Sequence, residues 1–150
     1  MTPTQQQVVV FELSGETYAL DIAFVDSIIH CQPVTPVPGA PDYIEGLINQ
    51  RNRVFPVIDL RKRFGLNVTE TGDRSRIIVL QVGDDLVGVI VDAVSEVITV
   101  TPDIIEPAAR VVAGMDAEFI GSIAKVEGEL VAVLHPGKIF EGQEDVFGAN

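Results

Sequence analysis

The sequence predicts an all-β protein built from two small barrels lying side by side. Three patterns carry that prediction. Runs rich in Val, Ile, Tyr and Phe recur at about 8–12-residue spacing, giving about nine or ten short strands rather than alternating strands and helices. Several neighbouring runs are separated by only two or three turn residues, as hairpins are. A polar stretch, 67 to 75, divides the runs into an earlier and a later set.

"QVVVFEL", then Ser14-Gly15-Glu16, then "TYALDI" is the first hairpin, with Tyr18, Leu20 and Ile22 on one face of its second strand. "VDSIIH" is a third short strand. In "CQPVTPVPGAP", Pro33, Pro36, Pro38 and Pro41 forbid regular pairing and impose an extended connection. Gly46 to Gln50 and Val54 to Ile58 flank Arg51-Asn52-Arg53 as strand, tight loop and strand. In "DLRKRFG", Asp59 is an N-cap, Leu60 and Phe64 stand at i,i+4, and Gly65 is the stop of a short helix. "RIIVLQV", Gly83-Asp84-Asp85 and "LVGVIVDAV" form a hairpin, and "SEVITV" is a further strand. Residues 101 to 118 read as irregular chain containing Gly114. "FIGSIAKV" and "ELVAVLH" close a last hairpin, Pro136 to Phe140 form a helical turn, and an acidic tail follows.

A formal charge of −12 argues against binding nucleic acid or anionic lipid, since both need a basic surface. No apolar run is long enough to span a bilayer, and "MTPTQQQ" lacks the charged and apolar segments of a secretory leader. With Cys31 the only cysteine, no internal disulfide is available, and a reduced, cytoplasmic setting is expected.

The candidates for chemistry are few. Cys31 and His30 are adjacent in a strand and therefore point to opposite faces, which does not make a nucleophile and its base. Two histidines about a hundred residues apart and one cysteine do not make a zinc site. Asp84-Asp85 lacks the alternating oxygen ligands of a calcium loop. "HPGK" lacks the glycine spacing of a phosphate loop. No enzyme, metal or cofactor is expected. "RIIVLQV" and "LVGVIVDAV", in contrast, are nearly unbroken apolar runs. Either both of their faces are buried between two lobes, or one face is offered to a partner.

Together "FELSGETYALDI", "TPVPGAPDYIEGLINQRNRVFPVIDLRKRFGL" and "VGVIVDAVSEVI" resemble the CheW family of bacterial chemotaxis coupling proteins, in order, from about Val8 to Phe140. The resemblance implies two side-by-side five-stranded SH3-like barrels with short helical turns. It places one CheW-like domain at 7–141, with the first barrel mainly 14–72 and the second mainly 75–140 plus the strand 7–13. Residues 142–150 remain as a flexible acidic tail. It implies a non-catalytic adaptor, monomeric alone and cytoplasmic, recruited into membrane-associated arrays. Its partners would be the regulatory domain of a CheA-type histidine kinase and the cytoplasmic tip of chemoreceptors. Carried over by motif, Gly46, Asn49, Arg51, Asn52, Arg53, Pro56, Asp59 and Arg61 are the kinase-binding candidates on the first barrel. Val25, Ile28, Gly88, Val94 and Val97 are candidates for a receptor-binding groove. Where the family has a glycine after the arginine, this chain has Asn52, the residue next most tolerant of positive φ. A paralogue serving pilus or surface motility is the nearest alternative, and a small-ligand-binding barrel is a more distant one.

Seven of the ten basic residues lie between Arg51 and Arg76, where three acidic residues oppose them, so that window is +4 in a chain of −12. The Arg51 loop and the Arg61-Lys62-Arg63 turn read as neighbours on the first barrel. Whether these cations meet a partner, brace the loop or are simply solvated is open from sequence.

Overall fold

Each sheet is built from one lone strand and two hairpins. The computed structural model describes residues 6–66, 72–100, 105–106, 120–126 and 128–139. Its strands are β1 (Gln6–Leu13), β2 (Glu16–Asp21), β3 (Val25–His30), β4 (Ile44–Gln50), β5 (Arg53–Asp59), β6 (Arg76–Val82), β7 (Asp85–Val91), β8 (Ala93–Val100), β9 (Ile105–Glu106), β10 (Ile120–Val126) and β11 (Glu129–Leu134). A 3-10 turn (Ile22–Phe24) and the helices α1 (Leu60–Phe64) and α2 (Pro136–Ile139) complete the described elements. The all-β, two-lobed expectation holds.

One sheet runs β8-β1-β2-β11-β10-β9 and the other β3-β6-β7-β5-β4. Apart from the two-residue β9, the two orders are the same pattern. A lone strand pairs antiparallel with one hairpin, whose second strand runs parallel to the second strand of the other hairpin. In the second sheet the pieces follow in chain order. In the first, the N-terminal hairpin β1–β2 fills the place that a C-terminal hairpin would take.

The expected division sets 14–72 against 75–140 plus the strand 7–13, whereas the sheets set β3–β7 against β1, β2 and β8–β11. β2 stays with β1, because a two-residue turn holds a hairpin together, and both join the C-terminal strands. β6 and β7 complete the sheet of β3–β5. The polar stretch before β6 is a loop inside one lobe, whereas the real crossing is the single residue Asp92 between β7 and β8. Turn composition marks exposed chain and says nothing about sheet membership. The tail, the segment 107–118 and residues 67–71 lie outside the described residues.

The apolar runs are buried on both faces. Along β6, Ile78 and Leu80 enter a layer shared by the two sheets, while Ile77 and Val79 pack on the opposite side with Ile48, Phe55 and Val57. Along β1, Val9, Phe11 and Leu13 enter the shared layer, while Val8 and Val10 pack with Ala19, Val100, Val131 and Val133. Strands that bury both faces have no polar face to show, so they do not alternate.

The proline-rich connection is pinned to β4 at one point. Thr35 and Leu47 exchange backbone hydrogen bonds of 2.9 and 2.8 Å. Beside them Gly46, at φ 153° and next to a bulge in the β4–β5 ladder, lets the connection lie against the strand. A Cβ there would overlap the Thr35 carbonyl, at 2.7 Å from its carbon. Gly46→Ala is expected to cost about 2–4 kcal/mol in urea unfolding, combining backbone strain with overlap. Gly15→Ala, at φ 83° with open space around it, should show only the left-handed cost of about 1–2 kcal/mol.

Candidate partner-binding surface

β4 and β5 are joined by Arg51 and Asn52, both at positive φ (53° and 65°), as a two-residue I′ hairpin turn requires. Asn52 thus takes the conformation that a glycine would take at no cost. Arg51, Asn52, Asn49 and Val54 are exposed at this tip, Val54 at 61 %. Arg53 turns back to β3, donating to both oxygens of Asp26 at 3.3 and 2.9 Å. β3 is one edge of its sheet and the β4–β5 hairpin its other side, so this pair reaches across the strands between them. Asp26, Ser27, Ile28, Ile29, Gln50, Arg51 and Arg53 line a cleft of about 380 Å³ there.

The other residues of the kinase-binding set are not at this surface. Pro56 is buried in β5 opposite Leu47, whose own backbone groups bond Thr35. That makes 47–56 a non-hydrogen-bonded pair of the β4–β5 ladder, so proline's missing donor takes no bond from β4. Gly46 is lodged under Thr35. Asp59 and Arg61 are 3 % and 2 % exposed. Asp59 caps α1 by accepting from the Arg61 backbone at 2.9 Å, and binds the Arg61 guanidinium through Nε at 3.1 Å and Nη2 at 3.0 Å. Their side chains face each other, not solvent.

The Arg61 turn is also not beside Arg51. The length of β5 separates them, about 20 Å for an extended strand of that size. The basic island dissolves into separate internal contacts: Arg61 with Asp59 and Asp92, Lys62 with Glu45 at 2.8 Å, and Arg63 with the Ile139 carbonyl and the Tyr43 ring. Arg74 reaches Glu12, and Arg76 bonds backbone carbonyls of Asp73 and Ser75. Among the described residues, Arg51 alone of the seven makes no side-chain hydrogen bond or ion pair. Its charge is turned outward.

The groove candidates divide. Directly paired residues on neighbouring strands share a face. Val25 and Ile28 pair with Leu80 and Ile78, and Val94 and Val97 pair with Phe11 and Val9. All four partners belong to the layer between the sheets. These four residues therefore project on the inter-sheet side of the edge strands β3 and β8. Val25 and Val94 are half-buried against the shared layer, while Ile28 and Val97 are 41 % and 49 % exposed. Gly88 does not belong with them. It pairs with Val57 and Val79, and a Cβ there would meet Ile77 Cγ2 at 2.8 Å and Phe55 at 3.3 Å, deep in the opposite core. Glycine is needed there for packing.

Sequence reasoning missed Val54 and Asp26. "RVFPVID" is apolar almost throughout, so nothing in it marks Val54 as outward, and only the curl of the sheet brings Asp26 to Arg53. Cys31 packs at the margin of the core around Phe55, and burial pushes its thiol pKa up, away from the reactive thiolate.

Known proteins resemble this chain over most of its length. The profile of the CheW-like domain matches residues 7–144. The chain belongs to the CheW family. The chemotaxis protein CheW of Bacillus subtilis is 39% identical over 138 residues, covering 92% of this chain and 88% of that protein. CheW of Treponema pallidum is 35% identical over 144 residues, covering 93% and 85%. The crystal structure of the scaffolding protein TtCheW from Thermoanaerobacter tengcongensis superposes with a TM-score of 0.84 at 37% identity, covering 93% of this chain and 90% of that one. CheW is a family of chemotaxis scaffolds, not of catalysts. No described helix is long and apolar enough to cross a membrane.

The two ion pairs are expected to behave oppositely. Asp59→Ala strands a buried guanidinium and should cost about 3–5 kcal/mol in urea unfolding, whereas Arg53→Ala, at an exposed pair, should leave the midpoint nearly unchanged. The Asp26 carboxyl is held below its ordinary range, first by its hydrogen bonds with Arg53. A carboxylate held down in the folded state stabilises that state above its unfolded pKa, and the contribution fades as pH falls through the lowered folded value. Carbon-detected NMR titration should therefore find the Asp26 midpoint rising towards the ordinary value in Arg53→Ala. An unmoved midpoint would show that the pair does not form in solution.

Proposed function

We propose that the chain is a non-catalytic adaptor coupling chemoreceptors to a CheA-type histidine kinase. The observation that carries this reading is the similarity to chemotaxis CheW proteins over more than nine-tenths of the chain. Adaptors of this kind act by simultaneous contact. Holding one partner raises the local concentration of the other, and no bond need be made or broken.

The geometry supports two surfaces. The β4–β5 tip, with Asn49, Arg51, Asn52 and Val54, suits the kinase regulatory domain. An exposed valine supplies apolar area, and the unspent cation supplies charge recognition at its rim. The apolar margins of β3 and β8, with Val25, Ile28, Val94 and Val97, suit the apolar stripe of a receptor helix lying along the inter-sheet layer. The two surfaces adjoin at β3, because Ile28 and Arg51 line one cleft. The protein would act in the cytoplasm, beside membrane-held receptor arrays.

Pull-down with a purified kinase and a receptor cytoplasmic fragment tests this reading. The parent should capture each partner alone, and the kinase should respond to receptor only when all three are present. Arg51→Glu with Val54→Ser should stay folded and lose about tenfold in kinase affinity, as loss of a hot spot does, with receptor capture kept. Ile28→Glu with Val97→Glu should show the reverse. A parent that captures neither partner would overturn the adaptor reading, and unchanged capture by folded variants would overturn the placement of the surfaces. Alkylating Cys31 should leave coupling intact. Loss of coupling by that treatment would favour a thiol-based activity.

A further inference from the structure

The chain passes between the two sheets twice among the described residues, once through the 3-10 turn Ile22–Phe24 and once through Asp92 alone. A one-residue crossing between β7 and β8 has two backbone dihedrals of its own. Left free, it would be a hinge, and the angle between the lobes would follow it.

The side chains close that freedom. The Asp92 N–H donates to the Glu12 carbonyl of β1 at 2.9 Å. Its Oδ2 accepts from the Ser14 N–H at 2.7 Å, in the β1–β2 turn of one sheet. Its Oδ1 accepts from Arg61 Nη1 at 3.0 Å, from the helix that follows β5 of the other sheet. Arg61 is in turn fixed by both oxygens of Asp59. Ser14 and Gly15, at φ 49° and 83°, make a two-residue I′ turn that presents the Ser14 N–H to Asp92. Phe64, one helical turn beyond Arg61, meets Tyr18 of β2 at 6.5 Å between ring centres, repeating the same tie with apolar groups.

We propose that Arg61 and Asp92 are a positioning pair that locks the angle between the two lobes. Contact at the edge of one sheet is thereby felt at the edge of the other. Neither residue touches a partner. Each acts through the orientation of the surfaces, and the lock itself does not depend on which partners bind.

The test has two arms. In a Cys31→Ala background, spin labels at Gln81→Cys on β6 and Glu96→Cys on β8 report the distance between the sheets by pulsed electron resonance. The parent should give one narrow distribution, and Arg61→Lys or Asp92→Asn should broaden or shift it. The same narrow distribution in a folded variant overturns the proposal. Should neither variant fold, amide exchange in the parent decides. The Ser14 and Asp92 amides should exchange only through global unfolding, and faster exchange than in β6 overturns the lock.

The second arm rests on the adaptor reading above. Receptor control of the kinase should fall about tenfold in a folded variant, a usual size for coupling between sites, with capture of each partner alone little changed. Loss of capture in proportion to loss of control overturns the positioning role. A parent without any kinase coupling removes the adaptor reading and leaves the distance measurement to stand.

Discussion

A single buried guanidinium holds this molecule to one shape. Arg61 has a side chain only 3 % exposed and serves two carboxylates from different parts of the chain. Removing such a charge from water is expensive, and an apolar side chain of like volume would fill the space at no greater cost in stability. What an apolar residue would not supply is direction. The planar fork of arginine fits Asp59 on one edge and Asp92 on the other, and thereby sets where the end of β7 lies relative to the β1–β2 turn. Helix α1 is short because its task is local: Asp59 caps it, Gly65 stops it at φ 72°, and between them it delivers Leu60, Arg61 and Phe64 inward. The shared apolar layer then supplies the bulk of the association between lobes, and the ion cluster selects one arrangement within it.

Much of this was legible in the sequence. β-branched runs bounded by glycine, proline and paired aspartates marked most strands to within about two residues, though "LVGVIVDAV" ran across Asp92 into β8 and β9 fell in chain read as irregular. The cap and stop of α1 could be read from Asp59 and Gly65. Failure to alternate in "RIIVLQV" pointed to burial on both faces, which is what Ile77 to Leu80 display. Sheet membership was not legible from local pattern: the resemblance grouped the strand 7–13 with 75–140 but left 14–21 in the other barrel, whereas β2 follows β1 into the C-terminal sheet. Pairing between β2 and β11 joins positions more than a hundred residues apart, and no local pattern encodes it.

The site was legible in kind but not in role. Motif resemblance marked Pro56, Asp59 and Arg61 alongside Arg51 and Asn52, yet the first three are buried and the last two stand at an exposed tip. A string of letters treats Arg51 and Arg61 as near neighbours, whereas an extended strand sends them to opposite ends. Gly46 and Gly88, carried over as partner-binding candidates, are places where a Cβ has no room. The groove candidates came from resemblance and stand three apart on each strand, so only the bulges in the β3–β6 and β1–β8 ladders turn Val25 with Ile28, and Val94 with Val97, to the inter-sheet side.

Stiffness and binding meet in the charge pattern. In a chain of −12, six of the seven clustered cations have partners within the chain, some of them at the surface, and Arg51 projects unpaired from the β4–β5 tip. An acidic body repels acidic partners at long range and so favours approach by a basic point such as Arg51, making orientation at encounter dependent on ionic strength. A contact formed there is made at the free end of a hairpin whose far end runs directly into Asp59 and α1. Force or displacement applied at the tip therefore has a short, hydrogen-bonded path to the crossing between lobes, through β5 and the Arg61 cluster. A loose joint at that crossing would absorb the displacement as local motion, because a coupling between two sites needs an element that both sites bias. The cost of burying Arg61 is thus best understood as the cost of having one body instead of two.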